Sequence, residues 1–146
     1  MKFKSITMEN FMRYKGVNTI EFSCDPGKNV TVVLGDNTVR KTTIAQAFRF
    51  GLYGAVNMEK WKNADDYQLL NNDVLAFMDA DSKAAVAVTI VAVDEEKQYT
   101  MCRETIYSRN YPQMTCREFQ KKVSIKIADL QASDVVTEVD ERRVEY

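Results

Sequence analysis

The residues best suited to chemistry lie between positions 35 and 43. Gly35, Lys41 and Thr42 match three fixed positions of the phosphate-loop pattern, which is glycine, four free residues, glycine, lysine, then serine or threonine. In such a loop, backbone N–H groups and the positive end of the next helix hold an anion. The lysine reaches the outer phosphates and the hydroxyl ligates Mg²⁺. The spacing predicts a site for ATP and Mg²⁺, with Thr42 as the metal ligand.

Arg40 departs from this pattern, because it stands where the second glycine belongs. Glycine lets the backbone curl around the phosphates with no side chain in the way, so an arginine there has a steric cost. The positive charge of the guanidinium favours the opposite outcome, since it attracts anions. We expect the steric effect to dominate, so that nucleotide binding is weakened or lost.

A phosphate loop requires a strand before it and a helix after it, and the flanking residues are typical of both. Residues 29–34 form a nearly continuous run of β-branched and apolar residues, which predicts a central strand buried on both faces. From Thr42 to Leu52, apolar residues recur at spacings of three and four, which predicts an amphipathic helix. Gly54 is expected just beyond the end of this helix.

The rest of the chain is dominated by patterns typical of β-structure. Asp25-Pro26-Gly27 predicts a turn, and Ser133 is a candidate N-cap for a helix over the charged residues 133–146. We therefore predict an α/β fold with a mixed sheet, in which an antiparallel layer joins a parallel core around the phosphate-loop strand. Alternating or β-rich residues predict strands at 2–8, 17–22, 84–93, 98–107 and 123–127, with a polar hairpin turn at 94–97, a loop at 111–112 and a loop with a short helix at 58–66.

Composition narrows the class of protein only moderately. The 146 residues fit one domain, with 45% apolar and 28% charged residues. A net charge of −1 argues against a free-standing basic nucleic-acid clamp. Three cysteines without histidine make a zinc site improbable and favour reduced thiols in the cytoplasm. We see no signal peptide and no apolar run of the ~20 residues that span a bilayer, so we expect no membrane partner.

Several segments together resemble one known group of proteins, the SMC-like ATPases. Residues 6–14 (ITMENFMRY) are similar to the L-x-x-x-N-F-x-x-Y start of that group. The group includes RecF, RecN, the DndD proteins of DNA phosphorothioation, and the repair ATPase that partners the Mre nuclease. The DndD-like branch is the one that this sequence resembles most. Three later segments keep the order of the family: 32–38 (VVLGDNT) resembles the phosphate loop, 50–54 (FGLYG) resembles A-L-Y-G, and 99–103 (YTMCR) resembles the Y-x-I-x-R strand of a hairpin.

The resemblance covers residues 1 to about 107 and implies that residues 1–146 are the N-terminal lobe of an ABC-type P-loop ATPase head. It implies that Asn37, Lys41, Thr42 and Thr43 hold phosphates and metal. It also implies that Arg13 lies close, in the sequence pattern, to the position at which family members carry a basic residue that touches nucleotide. The remaining loop positions that would line the nucleotide are Gly35, Thr38, Val39 and Arg40. The resemblance also implies DNA as a target of the complete assembly.

Other parts of such an ATPase do not occur in the sequence. There is no acidic Walker B strand, no Ser-Gly-Gly signature and no long coiled coil, so we assign no catalytic residue. Three interpretations remain open. The chain is an ATP-binding module of a DNA-repair, DNA-modification or anti-phage ATPase, or an ATPase completed by a C-terminal half or second head. Alternatively, it is a nucleotide-free pseudo-ATPase that serves as an interaction scaffold.

Overall fold

The computed structural model describes residues 1–35, 40–56, 69–130 and 138–142, with the backbone alone for Arg40 and for 138–142. Within these ranges the chain forms one antiparallel sheet with a long helix on one face. Its elements are β1 (Lys2–Glu9), β2 (Val17–Glu21), α1 (Arg40–Tyr53), α2 (Asn72–Ala76), β3 (Lys83–Val93), β4 (Lys97–Asn110), β5 (Thr115–Asp129) and β6 (Glu138–Arg142).

The six strands lie in the order β2-β1-β3-β4-β5-β6, and each neighbouring pair is antiparallel. The predicted strands near the N-terminus and in the 84–107 hairpin are confirmed, as are the helix over Thr42 to Leu52 and Gly54 beyond its end. β5 is much longer than the predicted 123–127, because it pairs with β4 from Thr115 to Asp129. The predicted loop at 58–66 lies outside the described residues.

The predicted helix after Ser133 is wrong where the backbone is described. Glu138–Arg142 forms the edge strand β6, paired with β5 from Ile127 to Val123. A charged composition suits a solvated helix, but it also suits an edge strand, where charged side chains are common. The open edge of β5 offers backbone hydrogen bonds, and these favour the strand. Ser133 itself lies outside the described residues.

The predicted central strand at 29–34 is also absent, and residues 29–35 form no regular element. The relative exposure of Val30, Val32 and Leu34 is 77%, 70% and 88%. A central strand needs a hydrogen-bonded strand along each edge and a packed layer over each face, and none of the described strands pairs with this segment. The mixed sheet with a parallel core is therefore not confirmed; the described sheet is wholly antiparallel.

The core lies between α1 and one face of the sheet. Alternate residues of β1 and β3 point to this face, among them Ile6, Val88 and Ile90, with 0–2% exposure. Helix α1 approaches β3 closely at Gly51, where an added Cβ would lie 2.6 Å from Ile90 Cδ1. Glycine is required there by the packing of helix on sheet. The fully or nearly buried apolar residues of this core are Ile6, Met8, Phe11, Ala47, Phe50, Leu69, Leu70, Leu75, Met78, Val86, Val88, Ile90 and Tyr107.

Candidate nucleotide site

The predicted phosphate-binding residues lie at the first turn of α1. The helix begins at Arg40, so Lys41 and Thr42 occupy the turn whose backbone N–H groups have no partner within the helix. Thr42 is exposed and Lys41 is half-buried. The first turn carries no acidic side chain, so no carboxylate of α1 competes with an anion there. A helix N-terminus of this kind favours an anion; that Lys41 holds phosphate and that Thr42 reaches Mg²⁺ stay predictions.

The other loop residues have different positions. Gly35 is exposed at the end of the described segment that precedes the loop. Asn37, Thr38, Val39 and the side chain of Arg40 lie outside the described residues, so their roles stay predictions. Thr43 lies on the buried side of α1 and is only 1% exposed. In this conformation Thr43 lies below the surface that Thr42 presents, and its contact with phosphate also stays a prediction.

Arg13 lies exposed in the loop between β1 and β2, and this loop is fixed to the core on both sides of it. The ring of Phe11 packs against Phe50 of α1 with 5.6 Å between centroids. The N–H of Met12 donates to Leu69 O at 2.6 Å, and Asn71 Nδ2 donates to Met12 O at 2.8 Å. The backbone around Arg13 is thus held near Phe50, in the C-terminal part of α1.

Asn10 explains the Asn-Phe pair that carries part of the family resemblance. Its backbone has φ of 50°, a left-handed conformation that asparagine tolerates better than most residues. The side chain closes the loop, since Asn10 Oδ1 accepts from the N–H of Gly16 at 2.9 Å and Asn10 Nδ2 donates to Ala85 O at 3.1 Å. Asn10 and the buried Phe11 therefore shape the loop that carries Arg13.

Asn71 was missed by the sequence analysis, although it links this loop to α2. Its side-chain oxygen accepts from the N–H groups of Asp73 and Val74, an N-cap, while its Nδ2 donates to Met12 O. It is 6% exposed. An Asn before a short helix is a recognisable cap signal, but the bond to Met12 spans 59 residues, so no local pattern reveals it.

We expect Asn71→Ala to lower the free energy of unfolding by about 1–3 kcal/mol, because it removes a cap and leaves the part-buried Met12 carbonyl without that donor. Asn71→Ser keeps a side-chain oxygen as the cap acceptor and loses the bond to Met12 without adding a charge, so its loss should be smaller. Urea unfolding followed by circular dichroism measures both. Asn110→Ala, which removes a long 3.4 Å contact to Thr115 Oγ1 at an exposed hairpin, is the control and should change little. Equal losses for all three variants would contradict this role of Asn71.

The thiol of Cys116 is a poor candidate nucleophile. Burial raises the pKa of Cys116 to about 11, with a smaller contribution from Glu118. The reactive form of cysteine is the thiolate, and a thiol with this pKa is almost wholly protonated near neutral pH. Covalent chemistry at Cys116 therefore has no support, and the first turn of α1 remains the best candidate site.

A glycine before the loop, with a lysine and a threonine opening α1, is typical of the P-loop ATPases. A sequence model for a family described as an AAA domain (AAA_23) matches residues 5–143. The chain belongs to this family of SMC/RecF-like P-loop ATPases, whose members generally bind ATP and Mg²⁺. A search of curated proteins found no match. Among the described residues, no helix is both long and apolar enough to cross a membrane.

Proposed function

We propose that this chain is the ATP-binding, N-terminal part of a DNA-associated SMC-like ATPase, of the kind that acts in DNA repair, DNA modification or anti-phage defence. The observation that carries the proposal is the start of α1 at Arg40, immediately before Lys41 and Thr42, in a chain of the SMC/RecF-like family. Helix N-termini favour phosphate, and Lys41 adds a positive charge. Within that family, the DndD-like branch is the one that the chain resembles most.

We further propose that a C-terminal ATPase half covers the apolar segment Val30–Leu34, and that a second head closes over the nucleotide. The segment is β-branched, uncharged and exposed, whereas residues of this composition are normally buried in a sheet. A strand supplied by the other half would give Val30–Leu34 the backbone partner that it lacks among the described strands. Hydrolysis belongs to that assembly, because we assign no catalytic residue to this chain.

A nucleotide-free scaffold is the second candidate, and Arg40 favours it. Loss of the second glycine removes the conformational freedom that a phosphate loop uses. In that case the first turn of α1 no longer binds nucleotide, and the exposed apolar segment at 30–34 is the surface that binds a protein partner. The two candidates differ in one measurable property, the affinity for Mg²⁺-ATP.

Titration calorimetry with Mg²⁺-ATP tests the ATP-binding proposal. The proposal expects saturable binding by this chain or by its Arg40→Gly variant, and loss of that binding when Lys41→Ala is added. The matched control is Lys97→Ala, which removes a lysine from the β3–β4 hairpin, outside the predicted loop, and should leave the affinity unchanged. Absence of binding by both the chain and its Arg40→Gly variant would favour the scaffold.

The proposed partner surface has its own expected outcome. Without the partner, we expect the exposed segment to make the chain self-associate, because apolar β-prone segments pair with one another. The double variant Val32→Lys/Leu34→Lys should then sediment as a monomer in velocity ultracentrifugation. Phe77→Lys, at an equally exposed apolar position (83%), is the control and should associate like the unmodified chain. Identical sedimentation of all three proteins would count against the partner surface.

A further inference from the structure

The C-terminal end of α1 is held by a side chain from the sheet. Arg103 of β4 donates from Nε to the carbonyl oxygen of Gly51 at 3.3 Å. Its guanidinium also occupies the space beside Gly54, where an added Cβ would lie 2.9 Å from Arg103 Nη1. Arg103 therefore lies against the last turn of α1, at the end opposite Lys41.

Both glycines in this turn are explained by these contacts. Gly51 allows the helix to approach Ile90, and Gly54 leaves room for the guanidinium of Arg103 while adopting φ of +75°. The last turn of α1 contains no basic residue. Since the C-terminal end of a helix carries partial negative charge, the cation that complements it comes from β4, across 52 residues of sequence.

We propose that Arg103 is a positioning residue for the nucleotide site, an inference that rests on the proposed function. The buried side of α1 packs on the sheet at Ala47 and Phe50, and Arg103 holds its last turn through Gly51. About 9 Å of helix separates the fully buried Ala47 from Lys41 at the usual rise per residue, so a tilt of about 6° about Ala47 moves Lys41 by about 1 Å. Binding sites tolerate displacements of only about 0.5 Å. By fixing the far end of α1, Arg103 fixes where Lys41 and Thr42 lie.

Amide hydrogen exchange tests this role without relying on nucleotide. In Arg103→Met, the amides of residues 44–48, which make the first hydrogen bonds inside α1, should exchange about five- to tenfold faster, while the core strands β1 and β3 keep their protection. Arg103→Lys keeps the charge and should recover part of the protection. The matched control is Arg109→Met: Arg109 also lies on β4 and donates to the carbonyls of Ala76 and Met78, at the end of α2. It should leave residues 44–48 unchanged.

The affinity for Mg²⁺-ATP gives the second readout, measured in the Arg40→Gly background. We expect Arg103→Met to raise the Kd about tenfold, Arg103→Lys to raise it less, and Arg109→Met to leave it unchanged. If neither the unmodified chain nor the Arg40→Gly protein binds ATP, the proposed function fails, while the exchange experiment still decides whether Arg103 positions α1. Faster exchange confined to residues 51–54, or an equal loss of protection across β1 and β3, would overturn the positioning role.

Discussion

Arg40→Gly is expected to lower the Kd for Mg²⁺-ATP by about ten- to a hundredfold, on the basis of the ~1–3 kcal/mol that unfavourable backbone conformations cost and ~1.4 kcal/mol per tenfold. Position 40 opens α1, and a phosphate loop must turn sharply there to aim its N–H groups at the anion. Glycine puts no side chain into the space beside the phosphates, whereas arginine puts a bulky side chain at the crowded start of the helix. Titration calorimetry of both proteins measures the change.

Three control variants separate the steric effect of Arg40 from its charge. Arg40→Ala removes the charge and most of the bulk, but still has a Cβ; if backbone freedom is decisive, it should bind far more weakly than Arg40→Gly. Arg40→Lys keeps the charge and should bind like the unmodified chain. Arg49→Gly removes an exposed arginine from the middle of α1 and should not improve binding. Tight binding by the unmodified chain, lost in Arg40→Gly, would show that the guanidinium contributes to the site instead.

The parts of the fold that could be predicted are those in which local patterns report a local outcome. The alternation of buried residues such as Ile6 and Met8 is visible in the sequence, because period-two burial follows from the pleat of a strand. The helix that contains Lys41 and Thr42 could be predicted for the same reason, since its period is visible in the sequence; the role of these two residues in a site stays a prediction. These inferences needed no knowledge of distant contacts.

The residues that were missed depend on contacts between distant parts of the chain. Asn71 reaches Met12 and Arg103 reaches Gly51, so their roles become visible only when β1, β4 and α1 are brought together. In the sequence, Gly51 and Gly54 are recognised only as parts of the segment 50–54 that resembles A-L-Y-G. The structure gives the reason for both, since Gly51 packs against Ile90 and Gly54 against Arg103.

The segment at 29–34 shows the opposite limit of sequence analysis. Its β-branched composition indicates that these residues are suited to burial, but composition does not say which chain provides the neighbours. The described strands do not provide them, so Val30, Val32 and Leu34 remain exposed. The error at 138–142 has a similar cause, because charged residues fit both a solvated helix and an edge strand, and the open edge of β5 decides between them.

Phe11→Ala should cause the largest loss of stability, about 3–5 kcal/mol, because it empties a fully buried aromatic position. Phe11 is 0% exposed, its ring packs on Phe50, and its backbone forms an isolated bridge with Leu70. One residue therefore joins the loop that carries Arg13, helix α1 and the segment before α2. Domains of this size have only about 5–15 kcal/mol in total, so the variant should be close to unfolding.

Urea unfolding of Phe11→Leu keeps the test quantitative if the alanine variant does not fold, since a smaller side chain volume is lost and a loss of about 1–2 kcal/mol is expected. The matched control is Phe77→Ala, a phenylalanine 83% exposed, whose ring has Lys15 Nζ 5.4 Å from its centroid. An exposed contact of this kind contributes about 0.5–1 kcal/mol at most. If Phe11→Ala lost no more stability than Phe77→Ala, the Asn-Phe pair would not act through packing, and the loop that carries Arg13 would have to be held in place by its hydrogen bonds to Leu69 and Asn71 alone.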